Sequence, residues 1–173
     1  MESRTTKTAL AVLIIGTVVW LGGANIRLLL GSYLLEPLTA DFRPNIHPYV
    51  ERTVFSLIAQ SSFVLAIGYI VVWVCGIVYL RTTRLALREN GWLMMCAILL
   101  YLFTPVEIYT MVLDTKMWLL DVAGSNDLVE FRKLFIHRLG ALAGVPYIAF
   151  LSYYTAIVLA VIRPFRRPRK LPE

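Results

Sequence analysis

The stretch VFSLIAQSSFVLAIGYIVVWVCGIVYL, residues 54–80, contains no acidic or basic side chain. A hydrocarbon core roughly 30 Å thick is crossed by about 20 apolar residues rising 1.5 Å each along an α-helix, so this stretch predicts a membrane span. Working outward, residues 8–35, 92–113 and 134–162 are apolar over comparable lengths. The fold class expected from them is all-α: residues 1–173 form a single domain, an integral membrane four-helix bundle. No strand and no internal repeat is evident.

Composition supports the same reading. With 58% hydrophobic and 16% charged residues and a mean hydropathy of +0.70, a chain of this size cannot hide its apolar surface in one soluble core. The net charge of +6 is mainly an orientation signal. Arg4 and Lys7 precede the first span, Arg81, Arg84 and Arg88 separate the second from the third, and Arg163, Arg166, Arg167, Arg169 and Lys170 follow the fourth. Four alternating spans put all of these on one face, which the positive-inside rule makes cytoplasmic together with both termini. The other two connections carry Glu36, Asp41, Glu51, Asp114, Asp121, Asp127 and Glu130 against fewer bases. The basic tail, 163–170, is therefore expected on anionic lipid headgroups rather than on nucleic acid. The expected location is the bacterial inner membrane or an equivalent cellular membrane.

Gly22-Gly23-Ala24 offers small residues at a signal-cleavage position, but apolar residues continue through Leu28, Leu29, Leu30, Leu34 and Leu35, so a retained first helix is expected. Cys75 and Cys96 lack CxxC spacing and face the reducing side, where they read as packing residues.

The connections differ. Residues 36–48 hold Pro37, Pro44 and Pro48, which preclude a long helix and favour an extended strap. In the other, helical residues continue through Met117, Trp118, Leu119 and Leu120, Gly124-Ser125-Asn126 punctuates them, and Asp127 with Glu130 resembles a capping box. The third and fourth helices are therefore expected to extend beyond the membrane as an outer hairpin, the fourth running from about 127 to 162.

The depth of the polar residues is the sharpest signal for a site. Arg27, Gln60, Glu107 and Tyr109 all fall in the outer third of the spans. An ionised group at that depth needs a partner, water or a route to the headgroups. Arg27 either pairs with Glu107 or snorkels outward. Pro105 and Pro146 lie at similar depth, and each frees the carbonyl four residues earlier, at Tyr101 and Leu142. Kinks there would splay the bundle and open a polar cavity outward. Gly140-Ala141-Leu142-Ala143-Gly144 is a GxxxG, expected to form a close helix contact within the chain or between subunits. Gly16, Gly22, Gly23 and Ala24 are its candidate counterparts in the first helix.

Signatures of chemistry are sparse. His47 and His137 share a side of the membrane and are weak metal or haem candidates, but further ligands are missing near them in the sequence. No nucleophile motif or phosphate loop is present. No enzyme activity and no cofactor are expected. Two functions fit: a non-catalytic integral membrane subunit that docks partner proteins, or a second copy of itself, through its outer hairpin at Trp118 and Leu119 and its helix face at Gly140 and Gly144; or a membrane module that binds a lipid or another lipid-soluble ligand, such as a quinone or a sterol-like molecule, in the outer cavity.

Overall fold

The computed structural model describes residues 3–165 except 38 and 40, so most of the basic tail, from Arg166 to Lys170, lies outside the described residues. Among the described residues there are six α-helices: α1 (Arg4–Leu34), α2 (Pro48–Thr82), α3 (Gly91–Leu102), α4 (Thr104–Val122), α5 (Leu128–Leu139) and α6 (Val145–Ile162). A 3-10 turn, Ala141–Gly144, joins the last two. Taken with their continuations, α1, α2, α3–α4 and α5–α6 make four helices long and apolar enough to cross a membrane. Among the described residues the only β pairing is an isolated bridge between Leu35 and Phe42.

Three of the helices, α1, α2 and α5, start at a side-chain cap. Ser3 caps α1, its hydroxyl accepting from the amide of Thr6. His47 caps α2 through Nδ1, which accepts from the Tyr49 amide at 3.3 Å, with Pro48 in the first turn, where no amide hydrogen is needed. Asp127 caps α5, its Oδ1 accepting from Val129 and Glu130 at 3.0 and 3.2 Å. α4 and α5 form a helical hairpin with its turn at 123–127 and Gly124 in a left-handed conformation.

The connections after α1 and after α4 close one end of the bundle, the strap end. The termini and the 83–90 connection lie at the other. α1 runs antiparallel along α2, and Gly16 and Gly68 let the two backbones approach: a Cβ on Gly68 would lie 3.0 Å from Cβ of Trp20. At the far end the Thr6 hydroxyl donates to the carbonyl of Thr82 at 3.0 Å.

Two apolar cores lie along the bundle. The strap-end core gathers Leu34, Phe55, Ile58, Met117, Phe131 and Phe135, with Phe42 of the strap packed over it. Phe55 stacks on Phe131 and meets Phe135 edge-on. The middle core is Trp20, Leu65, Tyr69, Val72 and Tyr153 with their neighbours. The outer faces of the helices are apolar as well, with Ile15, Leu29, Phe63, Leu151 and Val161 exposed.

Two expectations fail in the fourth helix. It is not continuous from 127 to 162: Leu142 and Ala143 adopt left-handed backbone conformations (φ 49° and 55°), followed by Gly144 at φ 85°. The GxxxG therefore forms no continuous small-residue face. Gly140 terminates α5 and Gly144 takes a φ that favours glycine, after which α6 restarts with Pro146 in its first turn. Nor are the proposed counterparts its partners. Gly16 and Gly23 face Val72 and Leu65 of α2, and Gly22 faces open space. The third helix is interrupted at Phe103, where Pro105 opens α4.

A buried charge cluster at two helix breaks

Beside the two interruptions lies one cavity of about 190 Å³, walled by α1, Leu65 of α2, the first turns of α4, the end of α5 and the start of α6; Leu139 and Pro146 flank the second break, and Glu107 follows the first by one turn. Trp20, Leu65, Phe135 and Phe150 supply apolar wall, and Arg27, Glu107, Thr110 and Arg138 supply the polar part. Two of these polar groups flank the breaks, whereas Arg27 comes from the continuous helix α1. Glu107 lies in the first turn of α4, Arg138 in the last turn of α5.

Arg27 neither pairs with Glu107 nor snorkels outward. It is buried, and its two terminal nitrogens donate to the carboxylate of Asp114 on α4, at 2.6 and 2.5 Å. Arg138 donates from Nε to the same carboxylate at 2.6 Å. One buried acid thus joins α1, α4 and α5. The bidentate fork matches the plane of a carboxylate, and the second arginine brings a further positive charge. Glu107 does not meet Arg27. Its Oε1 accepts from the Tyr153 hydroxyl of α6 at 3.0 Å, and its backbone carbonyl accepts from Thr110 at 3.0 Å. Asp114 is two turns beyond Glu107 on the same helix, so both carboxylates face the same interior. With Arg27 and Arg138 they form a set of two guanidinium and two carboxyl groups.

The other candidates fall elsewhere. Gln60 is exposed and donates to Ser56 at 3.1 Å and to Asp121 at 3.5 Å, away from the cavity. Its network is centred on Asp121, which also accepts from Arg52 at 2.8 Å and Ser56 at 3.2 Å. Arg52 continues to the carbonyl of Ser125 at 2.9 Å. Tyr109 projects from a different face of α4 and meets Nε2 of His137 at 3.0 Å. With His47 engaged as a cap, the two histidines serve separate structural contacts. Among the described residues no group of three or more metal-ligating side chains comes together. Trp118 stacks on Phe63 of α2, with ring centroids 6.2 Å apart, while Leu119 is exposed.

Sequence reasoning missed Asp114, Arg138, Tyr153 and Trp20. Asp114 reads as a connection residue just past the third apolar run, and Arg138 falls inside the fourth run near its start. The seven-residue spacing of Glu107 and Asp114 was the one available signal, since it puts both on one helical face.

This chain matches no protein-family model, no curated protein and no solved structure.

Proposed function

We propose that this protein is an integral membrane module, non-catalytic and with both termini cytoplasmic, that holds a lipid-soluble amphipathic ligand in the cavity between α1, α4, α5 and α6. The observation that carries this reading is one partly polar cavity lined by residues that flank both helix breaks, Glu107 after the first and Leu139 and Pro146 on either side of the second. Non-helical backbone at membrane depth is tolerated where it is buried in protein or lines a cavity, and discontinuous helices recur at binding sites in membrane proteins. Two consecutive non-glycine residues in the left-handed region cost energy that a plain packing helix would avoid. A bacterial inner membrane or an equivalent cellular membrane suits the positive-inside pattern.

The direct test is to purify the full chain in mild detergent, extract it with organic solvent and identify what is retained. An enriched amphiphile is expected with the native sequence. Ala24→Phe, which fills the cavity from α1, should abolish its retention. Equal retention by both proteins would overturn the reading. Orientation is tested separately: with Cys75 and Cys96 replaced by alanine, Ser125→Cys should react with an impermeant thiol reagent from outside the cell, and Thr83→Cys should not.

A second reading, a subunit that docks membrane protein partners or a second copy through the hairpin, is favoured by the exposure of Leu119, Val122 and Val129 around its tip. Because Trp118 is already stacked on Phe63, Leu119→Ser with Val129→Ser is the sharper probe. Loss of a co-purifying partner with the fold retained supports docking, and an unchanged lone monomer removes it.

A further inference from the structure

We propose that the head of the ligand is zwitterionic, an ammonium joined to a phosphate, and that the cavity is a site for phosphatidylethanolamine. This deepens the cavity reading above and rests on it. The charges are balanced but separated. On the α5 side, Arg138 spends Nε on Asp114, which leaves its terminal amino groups for the cavity. On the α4 side, Glu107 accepts from Tyr153 through Oε1, which leaves Oε2. Arg27 and Asp114 neutralise each other in the bidentate pair.

The remaining wall therefore offers one cation and one anion on different helices. A purely anionic head would satisfy Arg138 and meet repulsion from Glu107, and a purely cationic head would do the reverse. A neutral head would leave both charges facing a poor partner in a low-dielectric setting. A zwitterion places its phosphate at the guanidinium and its ammonium at the carboxylate, each as a charge-assisted hydrogen bond. The apolar portion has a path as well. Leu28 and Tyr147 line the cavity and are exposed, and beyond them lie the exposed apolar residues Leu29 of α1 and Ile148 and Leu151 of α6. Two acyl chains can follow these faces out of the site, which favours a phospholipid over a small water-soluble zwitterion.

The test is competition for the full chain in neutral detergent, read by native mass spectrometry. The probes are phosphatidylethanolamine, phosphatidylcholine, phosphatidylglycerol and diacylglycerol with identical acyl chains, and phosphoethanolamine without chains. Phosphatidylethanolamine should be preferred over each of the other lipids by about tenfold, the equivalent of one charge-assisted hydrogen bond. The methylated ammonium of phosphatidylcholine has no hydrogen to donate to Glu107. Arg138→Gln should weaken all three phosphate-bearing diacyl lipids and leave diacylglycerol unchanged; Asp114 keeps Arg27 in this variant, and Arg138→Lys should restore part of the loss. Glu107→Gln, which still accepts from Tyr153, should remove the preference over phosphatidylglycerol. A native preference for phosphatidylglycerol, equal binding of diacylglycerol, or displacement by phosphoethanolamine at matched concentration would each overturn the proposal while leaving an occupied cavity. No lipid retained above the Ala24→Phe level would instead sink the cavity reading itself.

Discussion

Asp114 and Asp121 lie two turns apart on α4, about 10 Å along the axis, with side chains equally little exposed, and each binds an arginine from another helix, yet their partners differ. Asp114 is shared by two arginines, and its partner Arg27 has only 4% of its side chain exposed. Asp121 meets one half-buried arginine, with a serine and a glutamine completing its shell. Asp121 behaves as a fastener between α2 and the hairpin. Asp114 holds three helices around a cavity in which charge would otherwise be stranded. The same residue type on the same helix thus has different consequences, because what matters is how many charges depend on it and whether water can replace it.

This contrast is most directly broken at its buried end. Asp114→Asn leaves Arg27 and Arg138 without their shared anion. Removing one partner of a buried pair costs about 3–5 kcal/mol, so a large fall in the detergent unfolding midpoint is expected. A midpoint near that of the native protein would mean that water reaches Arg27. Arg27→Gln should cost less, about 2–3 kcal/mol, because Arg138 still compensates Asp114. Its double-mutant cycle with Asp114→Asn should show strong coupling. The cycle with Glu107→Gln should be additive to within about 0.5 kcal/mol, and strong coupling there would contradict the pairing seen here.

At Asp121 the expected effect is smaller. Asp121→Asn keeps an acceptor for Arg52 and Ser56 and should cost about 1 kcal/mol, seen as a modest shift in chemical denaturation. A loss equal to that at Asp114 would erase the distinction between the two sites. The weakest ionic contact marks the floor: Lys133 meets Glu130 at 3.7 Å on the exposed side of α5. Lys133→Ala should leave the unfolding midpoint unchanged within error, and a measurable drop would point to a partner on that face.

Much of the architecture was legible because its causes are local. Span length, the proline-rich strap, the cap at Asp127 and the turn at Gly124 depend on a few neighbouring residues. Pro105 and Pro146 marked the two helix interruptions, although Gly140 and Gly144 read as a contact motif rather than as the ends of a break. The site was half legible. Arg27 and Glu107 line the cavity, whereas Gln60 and Tyr109 at similar depth do not, since depth along a span carries no information about which way a helix is turned.

The sequence by itself determined that this chain forms four helices long and apolar enough to cross a membrane, and that a few ionisable groups within them require an explanation. Hydrophobic length and capping residues suffice for that. The tertiary structure alone decided that Arg27 belongs to Asp114, that Arg138 joins them, and that Glu107 turns to Tyr153. Those pairings depend on the rotation of each helix about its axis and on the left-handed residues 142–144, which re-aim α6. Both are set by packing between segments distant in the chain, where charges find partners only after the helices have met.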